Sequence, residues 1–423
     1  MLKKIVSTFG IKVLIAVLNL VIVIILSHYT GARGKGEASL VVISMAMVML
    51  FCNLLGGPTL IYLVPRYNVF LLFFLSNIWS ILTSIGAFLL LYFFSTTSCN
   101  MNLHICILSL LSSFLSTNLT ILLGKERIML YNLISLLQSV VTFIVAYLLL
   151  ISIEQPDVYA YIYSLYAALL LCFIISFVYM IPYLKQASLD NMMKFALEFL
   201  KIGFTNQTSQ IIKFMSFRVS YYMIVKYAGA SVLGVFSNGT SLIESLLLIS
   251  NSFVSVLYPK VSNSVSKKYS QLLTLQMTKM SIAFCILALI PLLLIPSSFW
   301  IWLFGAEFNG VREVILLLSP GIVFYNISMV INHYFSGLGR YRVSTVAYFL
   351  GLLVVFVLSI SLIPNYGITE AGIISSLSYI TSALFYMIYF SKDAKIKTTQ
   401  LFPSISDIPW LMKRVKSILE KNN

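Results

Sequence analysis

Twelve long apolar runs restrict the fold of this chain more than any other feature of its sequence. A helix needs about 20 apolar residues to cross a bilayer, and the runs lie at 5–28, 38–64, 69–94, 103–123, 128–151, 158–181, 200–227, 231–258, 278–303, 312–337, 344–363 and 368–390. Lipid offers the backbone no hydrogen-bond partner, and the runs are too long and too uniform for barrel strands. The sequence therefore predicts an all-α polytopic membrane protein with about 12 transmembrane helices.

The distribution of charge predicts the orientation of these helices. Charged residues make up only 10% of the chain, against about 25% in soluble proteins. Most of the 28 Lys and Arg residues fall at the termini or in loops on the same side, and the other side holds Arg33, Lys35, Lys226 and Arg312. Cations concentrate on the cytoplasmic side of membrane proteins. We therefore expect both termini to be cytoplasmic. The same one-sided distribution explains the net charge of +15 without a nucleic-acid partner.

Motifs for catalysis, nucleotide hydrolysis and metal binding are missing from the sequence. The five cysteines are scattered without metal-ligand spacing. The stretch GARGKGE at 31–37 lacks the spacing of a phosphate-binding loop. We find no credible Ser–His–Asp set and no large outer loop. These observations predict a protein that is not an enzyme and has no metal or cofactor.

An internal repeat divides the chain into halves of six spans each. At an offset of 198 residues, identical residues recur in the pairs Tyr29 and Tyr227, Gly31 and Gly229, Ala32 and Ala230, Gly36 and Gly234, Ser39 and Ser237, Leu50 and Leu248, and Asn53 and Asn251. An even number of spans in each half gives both halves the same orientation. We predict an N-terminal lobe at 1–181 and a C-terminal lobe at 201–391.

Two further segments are predicted to lie at the cytoplasmic surface. The connector at 182–200 carries charge and has apolar residues at helical spacing, which is typical of an interfacial helix. The tail at 392–423 is basic, and Leu411, Val415, Ile418 and Leu419 form one apolar face. Attachment to anionic membrane lipids and a solvated tail are both consistent with this pattern.

Charges inside the predicted spans mark the candidate site. Lys12, Lys213 and Arg218 lie within apolar runs, where an isolated charge costs roughly 2.5–3.5 kcal/mol on insertion scales. Glu244 is the acid within these runs, and its predicted depth matches that of Arg218. We expect a structural ion pair between these two residues, while the excess of cations indicates a cavity that receives an anion.

Span seven is the most polar of the twelve. At 3.6 residues per turn, Asn206, Gln210, Lys213 and Ser220 fall on one face together with Phe217. We predict that Lys213, Lys12, Arg218, Asn206, Gln210 and Ser220 contact the substrate. Lys12 lies near enough to the end of span one for its side chain to reach the membrane surface instead.

The stretches YTGARGKGEA at 29–38, LLGGPTLIYLVP at 54–65 and KYAGASVLGVFSNGTSLIES at 226–245 resemble the bacterial polysaccharide-transporter family. Its members include O-antigen and capsule flippases of the multidrug/oligosaccharidyl-lipid/polysaccharide (MOP) superfamily. The resemblance covers nearly the whole chain. It implies two six-helix lobes that form a V around a central cavity in the bacterial inner membrane. It also implies an oligosaccharide cargo linked to undecaprenyl diphosphate, and other polysaccharide-assembly proteins as candidate partners.

The resemblance further implies basic residues on spans one and seven that contribute to a cationic cavity. By position these are Lys12, Lys213 and Arg218. We therefore expect a flippase for the lipid-linked unit of a lipopolysaccharide O-antigen, a capsule or another surface polysaccharide, working by alternating access. A drug or cation antiporter of the same superfamily is the second interpretation, although it would require more acid than Glu244 alone. A membrane-embedded polysaccharide polymerase is less favoured, because the outer loops are short.

Overall fold

The computed structural model describes residues 2–94, 99–152, 157–184, 192–262, 264 and 266–403. Throughout these residues the ordered elements are helices, and the described chain contains no strand. The predicted all-α membrane fold is confirmed. The described helices are α1 Leu2–Cys52, α2 Gly57–Leu63, α3 Val69–Phe94, α4 Cys99–Gly124, α5 Ile128–Tyr147, α6 Val158–Met180, α7 Met192–Ala228, α8 Ala230–Ser245, α9 Leu247–Ser262, α10 Lys267–Leu294, α11 Ser297–Phe304, α12 Val311–Gly337, α13 Tyr341–Tyr366 and α14 Ile368–Ala394.

Counted by length and hydropathy, nine helices in the described chain can cross a membrane, or ten if the bent pair α8 and α9 forms one span. The difference from twelve has two local causes. The first two predicted spans form the single helical run α1, which changes direction at Gly31. Helix α7 covers the predicted seventh span, but its polar residues lower its hydropathy. Helix nonetheless covers most of every predicted span.

Glycines at equivalent positions of the repeat make the turns that precede two spans. Gly31 has φ 66° and Gly229 has φ 88°. Side chains with a Cβ atom are disfavoured in this left-handed region, whereas glycine is not. The sequence repeat therefore reflects a repeated backbone conformation at both positions.

The chain forms two compact units, while the lobes predicted at 1–181 and 201–391 remain a prediction. The first comprises Met1–Phe214, Ile224–Val235 and Ile301–Phe308, and the second comprises Met215–Met223, Phe236–Trp300 and Asn309–Asn423. In the first unit, α3 packs on α4, and α5 packs on α1 and α6. In the second, α14 packs on α12 and α13, and α12 also packs on α9 and α10.

Close packing on the end of α1 and on the turn that follows it explains why the beginning of α7 belongs to the first unit. Gly203 lies so near the Leu54 carbonyl that an added Cβ atom would overlap its oxygen. The Gln207 amide also donates a hydrogen bond of 3.2 Å to the Leu50 carbonyl. The helix begins at Met192, so the described end of the predicted connector is continuous with span seven. Residues 185–191 of the connector and 404–423 of the tail lie outside the described chain.

Within the first unit, α1 and α8 cross in close contact, and the residues at the crossing belong to equivalent stretches of the two halves of the repeat. A Cβ atom at Gly36 would overlap the Ala230 carbonyl, and one at Gly234 would overlap the Ala32 carbonyl. These are equivalent residues of the two halves. Gly36 meets the start of α8, and Gly234 meets the part of α1 that directly follows the bend at Gly31. The Glu307 carboxylate also accepts a hydrogen bond of 2.6 Å from the backbone N–H of Ala32. Helix α1 and helix α8 can approach this closely only because both crossing residues are glycines.

Candidate functional site

The centre of the candidate site in the second unit is a paired arginine and glutamate. Arg218 projects from α7 and Glu244 from α8. Two parallel hydrogen bonds join them, of 3.0 Å from Nη1 to Oε1 and 2.7 Å from Nη2 to Oε2. Each side chain is only 23% exposed. This fork geometry is the strong form of a carboxylate–guanidinium contact.

Aromatic side chains surround the pair. The Arg218 guanidinium donates a bond of 3.1 Å to the Tyr221 hydroxyl and lies 5.0 Å from the centre of the Tyr221 ring. The Tyr379 hydroxyl lies 3.5 Å from Glu244 Oε1. Phe217 packs edge-on against Tyr325 at 4.8 Å and against Tyr379 at 4.7 Å between ring centres. The ion pair is thus held in a largely apolar shell.

A cavity of about 180 Å³ opens beside this shell, and its lining comprises Phe217, Arg218, Glu244, Leu247, Ile322, Tyr325 and Tyr379. Pockets for drug-sized ligands usually measure about 300–1,000 Å³, so this cavity suits a few water molecules or a small group. Both terminal nitrogens of Arg218 are bonded to Glu244. The geometry therefore favours a structural role for Arg218 over direct capture of an anion.

The other predicted contact residues differ in exposure. Lys213 is half-buried on α7, Gln210 on the same helix is exposed, and Lys12 on α1 is exposed. Ser220 is 1% exposed, so a ligand could reach it only after neighbouring helices part. The side chain of Asn206 lies outside the described residues. Of the predicted cations, Lys213 and Lys12 lie outside the Arg218–Glu244 pair.

Sequence reasoning missed a second polar cluster, around Asp393 near the end of α14. Its Oδ1 atom lies 2.8 Å from Lys267 Nζ and 3.0 Å from Arg340 Nη1. Its Oδ2 atom accepts hydrogen bonds of 2.7 Å from the Tyr334 hydroxyl and 3.1 Å from the Gln271 amide. The cluster ties the ends of α10, α12 and α14 to the turn before α13. The one signal in the sequence was an acid among many cations at the end of a span.

No group of three His, Cys, Asp or Glu side chains within the described chain is placed to hold a metal ion. The polar features described above are ion pairs and hydrogen-bond networks. They can balance charge in a low-dielectric region and can position helices.

No family model matches the chain, and no curated protein sequence matches it significantly. Solved structures do match its fold. A lipid II flippase MurJ in an inward closed conformation has a TM-score of 0.73 at 15% identity, with 96% of this chain and 90% of that chain covered. An inward-facing multidrug resistance MATE family transporter of the MOP superfamily has a TM-score of 0.70 at 13% identity, covering 90% of this chain and 94% of its own.

A third structure is a MOP superfamily transporter from Pyrococcus furiosus, whose binding pocket is described as having reverse polarity. It has a TM-score of 0.62 at 12% identity, with 92% of this chain and 93% of that chain covered. These similarities show that the chain has the fold shared by MurJ and MATE transporters.

Proposed function

We propose that the protein is a flippase that moves a lipid-linked oligosaccharide across the bacterial cytoplasmic membrane by alternating access. The cargo is a surface-polysaccharide unit, such as an O-antigen or capsule repeat, carried on undecaprenyl diphosphate. The observation that supports this proposal most directly is the position of Lys213. It lies half-buried on α7, the polar seventh span of a MurJ-like fold. Both termini are cytoplasmic in this proposal.

The chemistry of the cargo explains the role proposed for the cations. A diphosphate carries negative charge that is costly to move through a medium of low dielectric constant. The Lys213 ammonium, with Lys12 as a second cation, offsets this charge while the polar groups of α7, including Gln210, contact the sugars. Arg218 contributes indirectly, because its bond to Glu244 holds α7 against α8.

The alternative is a drug or cation antiporter, which the likeness to MATE transporters supports equally as a fold. Such a protein would need a carboxylate to receive a cation. Glu244 is the acid that lines the candidate cavity, and Arg218 already neutralises it at 2.7 Å. This pairing favours the flippase.

Complementation of a flippase-deficient strain tests the proposal. Lys213→Gln keeps the length and polarity of the side chain but removes its charge, so it should abolish surface polysaccharide. Lys213→Arg should retain part of the activity, since phosphate accepts either cation in different geometry. Lys226→Gln, an exposed change on the same helix, is the matched control and should behave as wild type.

Membrane-protein amounts must be equal across these strains. Full activity of Lys213→Gln would exclude Lys213 as the anion site. Efflux of cationic dyes by wild-type protein, with no effect of any variant on polysaccharide, would instead establish the antiporter.

A further inference from the structure

A cavity in the first unit lies away from α7, at one end of the α4, α5 and α6 bundle. It has a volume of about 590 Å³, and its lining comprises Leu122, Glu126, Arg127, Ile128, Met129, Leu130, Leu133, Tyr179, Pro182 and Tyr183. This is within the usual volume range for ligand pockets. By charge distribution, this end of the bundle is predicted to face the cytoplasm.

One wall of the cavity is apolar and open. Met129 and Leu133 lie four residues apart on α5 and therefore share a face. Tyr179 of α6 faces the same space. These three side chains are 50%, 45% and 51% exposed, whereas Leu122 is buried. A groove of this kind, between two helices of a membrane protein, accommodates an acyl chain.

Two charged side chains, Glu126 and Arg127, line the mouth of the cavity. The Arg127 side chain is exposed, and its Nε atom donates a hydrogen bond of 3.1 Å to the Tyr183 hydroxyl. This bond orients the guanidinium, and among the described residues its two terminal nitrogens have no hydrogen-bond partner. Arg127 is also the N-cap of α5 and makes no side-chain cap bond. The first backbone N–H groups of a helix have no partner within the helix, and they favour a phosphate.

Neighbouring charges define the preferred head group. Lys125 and Glu126 precede Arg127 in the same turn, so the turn carries a net charge of one positive unit. Basic pockets between helices at the cytoplasmic face are known to bind anionic lipid head groups. We infer that this cavity binds a monoanionic phospholipid, with its phosphate at Arg127 and one acyl chain along Met129 and Leu133. The site is separate from Lys213 and does not depend on the proposed function.

Native mass spectrometry of the full chain in detergent tests the inference, with phosphatidylglycerol and phosphatidylcholine of identical acyl chains as probes. Phosphatidylglycerol should bind about tenfold more tightly, because its head group has a net negative charge, whereas the choline of phosphatidylcholine brings a positive charge next to Lys125 and Arg127. Arg127→Gln should reduce its affinity to that of phosphatidylcholine. The matched control Arg342→Gln, an exposed arginine at the start of α13, should leave the preference intact.

A second variant tests the acyl-chain groove without touching the charge. Leu133→Trp fills the groove and should weaken both lipids while preserving monodisperse elution. If Arg127→Gln fails to elute as folded protein, Leu133→Trp carries the test alone. Equal binding of the two lipids to wild type would overturn the inference, as would unchanged binding to either folded variant. Competition by glycerophosphoglycerol as strong as by the intact lipid would also overturn it, because the groove would then contribute nothing.

Discussion

Breaking the bond between Arg218 and Glu244 should destabilise the protein far more than breaking an exposed pair. Arg218→Met leaves the Glu244 carboxylate 77% shielded, with the Tyr379 hydroxyl at a weak 3.5 Å as its remaining described partner. Removing one partner of a buried pair typically costs about 3–5 kcal/mol. Glu244→Gln retains one oxygen that can accept from Arg218, so we expect a smaller loss of about 2–3 kcal/mol.

The double variant is the informative one. Arg218→Met combined with Glu244→Gln removes both charges, so the penalty of an unpaired charge disappears. The double variant should lose less unfolding free energy than the two single variants lose together. The difference should be about 2 kcal/mol, the coupling expected of neighbours in one network. The free energies are measured by reversible unfolding in detergent micelles, with helical circular dichroism as the signal.

The exposed pair of Arg33 and Glu37 provides a matched control, because its bond of 3.1 Å has similar length but Arg33 is 80% exposed. The cycle of Arg33→Met and Glu37→Gln should show almost no coupling, because water screens exposed charges. Additive losses for Arg218 and Glu244 would refute the reasoning. They would mean that water reaches the pair despite its apolar surroundings.

Three other results should follow from the structure and the sequence. Gly36→Ala should lower the free energy of unfolding by about 1–3 kcal/mol, because the added methyl group overpacks the helix crossing. Gly86→Ala, whose methyl group would meet open space, should leave stability unchanged or slightly higher. Equal unfolding temperatures for the two variants would refute the close helix crossing. Asp393→Asn should lower the unfolding temperature and reduce its dependence on salt, because two cations lose their partner. An unchanged salt dependence would contradict this. Reporter fusions at Gln186 and Lys395 should be active only with cytoplasmic reporters, and a periplasmic signal at either site would overturn the predicted topology.

The sequence by itself determined the fold class, because the demands of lipid act locally. Any run of about 20 apolar residues must form a helix there, and this holds whatever the run packs against. The turns at Gly31 and Gly229 were also visible as a repeat. Even the contact between Arg218 and Glu244 was within reach, because a charge at membrane depth needs a partner and one acid was available at that depth.

The tertiary structure alone decided which surfaces meet. Asp393 binds Lys267, which lies 126 residues away in the sequence, and Arg340, which lies 53 residues away. No local sequence pattern indicates such partners. Helical periodicity placed Gln210 and Ser220 on one face, but the neighbours of each differ, so Gln210 is exposed and Ser220 is buried. The crossing of Gly36 with Gly234 likewise depends on how helices far apart in the chain approach. Periodicity determines which side of a helix a residue occupies, whereas long-range packing determines what that side faces.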